Sequence, residues 1–194
     1  AVESAEEKAY EFAEEEAAKA LILIDLVRCP EPKASERIGK IVKKTLYDHL
    51  SRMIYAKAQS WRPVNVAQLQ EYVDQERQGH YLEGGMSEYI VPNWSLYLRE
   101  STMYADIEVY EDGVPQWNDP DRWSGCLMAI RPTALSVVEA LKALGVLTRA
   151  GLQATSDVWG TIDFVKDEGP AEARELTKQH GVRLDSEGLV TEDA

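Results

Sequence analysis

The chain has 194 residues, of which 44% are hydrophobic and 28% charged, a composition that can bury a core and does not belong to a disordered chain. Lys and Arg number 21 against 34 Asp and Glu, a formal charge of −13. Such a surface repels phosphate backbones unless the basic residues cluster, and it disfavours a polybasic membrane contact.

From Val2 to Val27 the chain is dense in Ala, Glu and Leu, strong helix formers. Ala9, Phe12, Ala13, Ala20, Leu23, Ile24 and Val27 recur at helical steps and predict one apolar stripe. Pro30 and Pro32 end that helix. A second long helix is expected from about Ser35, a possible N-cap, to Ser60, with Ile38, Ile41, Val42, Leu46, Leu50, Met53 and Ile54 inward. The short loop between the two predicts an antiparallel hairpin. A third helix is expected over Val66–Gln78, closed by glycines, and residues 86–98 fit either helix or irregular chain. Next, Tyr104, Ile107, Val109 and Tyr110 lead through Asp112-Gly113 to Trp117, a hairpin pattern. Further helices are expected over 121–147 with a restart at Pro132, over 152–165, and from Pro170 to Gln179. The fold class expected is all-α: a single helical domain over 1–184, built on a long antiparallel helix hairpin, with a small β-hairpin near residues 106–117 and a polar tail over 185–194.

No Walker A loop, GxSxG elbow, HExxH or ExxH pair occurs. With two cysteines (Cys29 and Cys126), three histidines and no CxxC pair, neither a metal site nor a bound cofactor is expected. Two free thiols suit a reducing cytoplasm. The longest apolar run, Ala20–Ile24, falls far short of the roughly 20 residues of a membrane span, and the first residues are too acidic for a signal peptide.

Polar residues inside apolar stripes are the candidates for chemistry. His49 stands three residues after Leu46 and four before Met53, on the buried side predicted for the second helix. Glu16 stands four residues after Phe12 and four before Ala20, within the stripe of the first. A buried carboxylate is costly unless paired, so Glu16 and His49 are expected to meet across the hairpin, with Lys19 and Asp48 flanking. Such a pair can move protons near neutrality, although a satisfied core contact is the commoner role. Arg99 and Asp106 fit an ion pair at the helix-to-hairpin junction, with Tyr104 between them. Trp94, Tyr97, Trp117 and Trp123 fit a core beneath the hairpin or the floor of a small-molecule site.

Two of these segments carry a family resemblance. Glu15-Glu16-Ala17-Ala18-Lys19-Ala20 resembles the Glu-Glu-Leu-Gly-Lys-Ala signature of the AbiV family of abortive-infection proteins. Asp48-His49-Leu50-Ser51-Arg52 resembles that family's His-centred segment, and Met103-Tyr104-Ala105-Asp106 its Leu-Tyr-Val-Asp segment. Asp112-Gly113, Trp117 and Pro120 follow in similar order, so the resemblance covers about residues 5–120. It implies a HEPN-like helical domain, often dimeric, in anti-phage defence. Many HEPN proteins cut RNA without a metal, through an Arg that faces the phosphate and a His that moves protons. On this chain that implies His49 as the proton-transfer group, Glu16 orienting it, and Lys19 and Lys44 supplying charge. Lys43, Arg99, Tyr104 and Asp106 would bind substrate. The family's Arg is absent before His49, where Lys43 and Lys44 offer charge without a bidentate fork. The one literal Arg-x5-His match is Arg174 to His180, at a predicted helix end.

The function expected is therefore AbiV-like phage defence, by partner binding or by RNA cleavage. The alternatives are a non-catalytic adaptor or antitoxin-like subunit whose acidic surface meets a basic partner, and a small-molecule-binding bundle. A homodimer, a protein partner or RNA are the expected associations, with no membrane.

Overall fold

The computed structural model describes residues 2–84, 87–91, 93–104, 106–109, 113–118, 131–161 and 170–189. Helix α1 spans Val2–Val27. Helix α2 spans Glu31–Lys44 and starts four residues ahead of Ser35. Pro30 is its N-cap and Pro32 lies in its first turn, where a missing N–H costs nothing. The prolines that stop α1 thus start α2.

The long second helix does not form. Two successive amides, of Thr45 and Leu46, donate to the Ile41 carbonyl at 2.9 and 3.0 Å and close α2 there. Helix α3 then begins at His49 and runs to Ala58. Helix α4 spans Val66–Arg77, and the Asn65 side chain accepts the Gln68 amide at its start. Strands β1 (His80–Gly84) and β2 (Ser87–Val91) pair antiparallel, with His80 opposite Val91. Helix α5 spans Trp94–Met103, capped by Asn93, whose amide also donates to the Glu76 carbonyl at 2.6 Å and so ties α5 to α4. Strands β3 (Asp106–Val109) and β4 (Pro115–Asn118) pair with Ile107 opposite Trp117. Helices α6 (Thr133–Ala143), α7 (Arg149–Trp159) and α8 (Pro170–Ser186) complete the described residues. Of the helix expected over 121–147, residues 121–130 lie outside them, as do residues 190–194 of the tail expected over 185–194, into which α8 runs as far as Ser186.

The expected fold class is corrected on these observations. The described residues hold eight helices and two separate two-stranded ribbons, and the second helix of the expected hairpin is replaced by two shorter ones, α2 and α3. The chain divides into two compact units, and the division falls inside α1. One comprises Ala1–Glu16 with His49–Thr133, the other Ala17–Asp48 with Ala134–Ala194. The first unit buries polar groups among its helices: Glu15, Ser51, Arg52, Asn93, Ser95 and Arg99. The second has an apolar centre, where Val146, Ala154 and Leu184 pack with Leu141 and Leu189. Among the described residues no helix is long and apolar enough to cross a membrane.

Candidate active site

The site grows from the phase of α1. Its buried residues are Glu15, Ala17, Ala18, Leu21, Ile22 and Ile24, whereas Phe12 and Leu23 are 52% and 47% exposed. The buried stripe is thus one residue out of step with the expected one. Glu16, placed on that stripe by its spacing from Phe12, is exposed. Glu15 takes its place and is only 5% exposed.

Three side chains from two other helices meet at this carboxylate, all in the first unit. Arg52 of α3 donates to Glu15 Oε2 through Nε at 3.2 Å and Nη2 at 2.6 Å. His49, one turn earlier on α3, places Nδ1 2.8 Å from the same oxygen. Arg99 of α5 donates through Nε to Glu15 Oε1. Burial pushes the Glu15 carboxyl up, but the hydrogen bonds from Arg99, Arg52 and His49 outweigh it and hold the group below its ordinary value of 4.5. For Arg99, burial pulls the guanidinium down, and Glu15 and then Tyr104 more than restore it.

The ring nitrogen Nδ1 of His49 stands between two groups of fixed role. An ionised carboxylate only accepts and a guanidinium only donates, so Nδ1 donates to Glu15 when it carries the proton and accepts from Arg52 Nη2, 2.6 Å away, when it does not. In the first of these states Nε2 is the basic nitrogen. The His49 side chain is 47% exposed, in contrast to the inward placement expected for it. A half-exposed imidazole oriented by a buried carboxylate is the arrangement of an acid–base group.

A cavity of about 250 Å³ adjoins Glu15, lined also by Glu14, Met53, Lys57, Trp94 and Arg99 among others. Lys57 donates to Glu76 and to Ser95 Oγ, both at 2.8 Å. Trp94 stacks on Tyr97 at 5.8 Å.

The other expected site residues fall elsewhere. Lys19 is half-buried on α1 and Lys44 is exposed at the end of α2, both in the second unit. Lys43 belongs to α2, and its side chain lies outside the described residues. Arg99 turns inward to Glu15; the partner expected for it at the junction was Asp106. Asp106 begins β3, with its side chain outside the described residues. Tyr104 is 56% exposed and Trp117 64% exposed, so Trp117 is no core beneath the ribbon; Trp123 lies outside the described residues. His180 is not at a helix end: it sits inside α8, 7% exposed, and Thr155 Oγ1 stands 2.9 Å from its Nε2. Burial and then the charge of Arg28 hold His180 below its ordinary value of 6.5, a structural imidazole. Among the described residues no three His, Cys, Asp or Glu side chains group to hold a metal ion.

Glu15 and Arg52 were not assigned roles from the sequence. The signal for Glu15 was the small pair Ala17-Ala18 with Leu21, Ile22 and Ile24, which sets the helix phase if Phe12 and Leu23 are disregarded. Arg52 is three residues after His49 on one helix, a spacing that puts both on one face. No family model, no curated protein and no solved structure matches the chain.

Proposed function

We propose that this chain is an AbiV-like phage-defence protein that acts in the cytoplasm by HEPN-type, metal-independent cleavage of RNA. One observation carries the reading: the half-exposed His49, whose Nδ1 stands 2.8 Å from buried Glu15, a contact that leaves Nε2 basic when Nδ1 carries the proton. In such a reaction the 2′-hydroxyl gives its proton to Nε2 and its oxygen attacks the adjacent phosphorus. The bond from phosphorus to the 5′-oxygen breaks, that oxygen takes a proton from water, and a 2′,3′-cyclic phosphate remains. Glu15 fixes the ring and offsets the charge that forms on it. Arg52 keeps a permanent positive charge beside the ring; with its side chain 6% exposed and bonded to Glu15, it does not face the phosphate as the family's Arg does.

The test is cleavage of a labelled RNA in the presence of a chelator, paired with a melting curve. His49→Ala is expected to lower the rate about 10²–10⁴-fold, the usual contribution of a positioned acid–base group. Its melting temperature should hold, because the side chain is half-exposed. A variant with unchanged melting and full activity removes His49 from the mechanism. Wild-type protein that cuts no RNA removes the reading.

The second reading, a non-catalytic interaction module, is favoured by the ribbon. Ile107 and Trp117 lie opposite each other and are 59% and 64% exposed, and Val114 nearby is 54% exposed. Apolar exposure of this kind marks contact surfaces, and the acidic chain selects a basic partner. That reading prevails if Trp117→Ser abolishes protection against phage while the wild type cuts no RNA. A homodimer is part of either reading, supported by exposed Phe12 and Leu23 on α1. Light scattering at micromolar protein should return twice the chain mass.

A further inference from the structure

The charge of −13 is not spread evenly along the chain. Helix α2 holds five of the 21 basic residues, Lys33, Arg37, Lys40, Lys43 and Lys44, and only two of the 34 acidic ones, Glu31 and Glu36. Four of the five recur at i, i+4, i+7 and i+11: Lys33, Arg37, Lys40 and Lys44. In a helix that spacing is a single stripe, here about 16 Å long at 1.5 Å per residue. Lys33, Lys40 and Lys44 are exposed and Arg37 is half-buried. Among the described residues, Glu36 accepts from Lys40 at 2.6 Å and also feels the charge of Lys33, and the charge of Arg37 acts on Asp25 of α1.

We infer that the α2 stripe binds the phosphate backbone of single-stranded RNA, without regard to base sequence. The choice of RNA as the polyanion rests on the RNA-cleavage reading above. The form of the site follows from α2 itself. Evenly repeated cations with no aromatic side chain among them match a repeating anion, whereas protein epitopes are anchored by buried aromatics. A membrane surface fits less well. Interfacial helices insert a broad face of Trp, Phe and Leu, none of which α2 contains, and its Ile41 and Val42 are already half-buried in the protein. The acidic remainder of the chain does not cancel the stripe at physiological salt. Charges farther off than the Debye length, about 8 Å, are largely screened, while the contacting cations act at close range.

Four phosphate contacts fix the expected salt dependence. For a single strand the slope of log K against log salt is about −0.7 per contact, hence about −3 here, or about a 50-fold loss between 50 and 200 mM salt. The measurement is fluorescence anisotropy of two fluorescein-labelled 20-nucleotide 2′-O-methyl RNAs of unrelated sequence. The 2′-O-methyl group removes the attacking hydroxyl, so binding is read whether or not the protein cleaves. The wild type should bind both with that slope. K33Q/K40Q/K44Q, which leaves Arg37 and its neighbour Asp25 untouched, should keep its helical circular dichroism and flatten the slope to about −1. K33R/K40R/K44R should restore the wild-type slope. Absence of RNA binding, an unchanged slope in the glutamine variant, or binding confined to vesicles containing phosphatidylserine overturns the inference. The two proposals fail separately. Backbone binding without cleavage of unmodified RNA removes the nuclease and leaves the stripe. Cleavage that survives the glutamine variant at undiminished kcat/KM removes the stripe and leaves the nuclease.

Discussion

At the scale of single residues, the site depends on which of two adjacent glutamates faces inward. Glu15 balances two buried guanidiniums, Arg52 and Arg99, each with a side chain 6–7% exposed. Removing one partner of a buried ion pair leaves a charge uncompensated and costs about 3–5 kcal/mol. Glu15→Ala is therefore expected to lose about that much in chemical denaturation. Glu16→Ala, on the exposed face, should stay within about 0.5 kcal/mol of wild type. Equal losses in the two variants would refute the assignment. The one-residue error in reading α1 has a physical origin. Its apolar residues fall in two phases: Phe12 and Leu23 lie on the exposed side, and Leu21, Ile22 and Ile24 are buried. Spacing counted from Phe12 drew the stripe to the wrong face. The meeting of His49 with a carboxylate of α1 was legible, because an inward acid must find a partner, but its occupant was not.

Helix starts and stops follow local chemistry, and the starts of α1, α4 and α8 were legible for that reason, whereas α2 begins at Glu31 instead of Ser35 and α7 at Arg149 instead of Leu152. Pro30, Asn65 and Thr148 each stand at a helix start. The break between α2 and α3 was not legible from periodicity, since Ile41, Val42, Leu46, Leu50 and Ile54 continue one helical pattern through it. Its signals were charges: Lys43-Lys44 in the last turn of α2 and Asp48 just before α3, residue types suited to a helix end and a helix start. The turn into α7 can be tested at two positions. Thr148 Oγ1 accepts the Gly151 amide at 3.1 Å and donates to the Gly145 carbonyl at 2.7 Å. Thr148→Ala is expected to cost about 1 kcal/mol, the usual value of an N-cap. Gly151 has a different task. A Cβ there would lie 2.1 Å from the Gly145 oxygen and 2.7 Å from the Val146 Cα, both backbone atoms that cannot swing away. Gly151→Ala should thus cost about 1–3 kcal/mol through overpacking, at a helical position where alanine is otherwise preferred. A thermal melt showing Gly151→Ala at or above wild-type stability would mean that α7 does not approach the turn this closely.

At the scale of the whole molecule, the two units carry titrating groups with different acid thresholds. In the second unit, His180 is held below 6.5 by burial and by Arg28. The unfolded chain then binds the proton more readily than the folded one, so stability is complete above 6.5 and declines as pH falls below it. In the first unit, Glu15 is held below 4.5 by its three hydrogen-bonded partners against the pull of burial. Its contribution is complete above 4.5 and is lost as pH falls through the lower folded value. Asp25, in the second unit, has the opposite sign: burial holds its carboxyl above 3.8, against Arg28, so acid relieves it. General charge repulsion also eases in acid as a chain of −13 protonates, so it does not favour unfolding there. Hydrogen exchange measured segment by segment should therefore show protection in α7 and α8 falling first, from about pH 6.5 downward. Protection in α3 and α5 should persist until below about pH 4.5. His180→Gln, which has no imidazole to protonate, should abolish the first decline and leave the second in place. Simultaneous loss of protection in both segments at one pH, unchanged by His180→Gln, would show that neither group sets the acid stability of its unit.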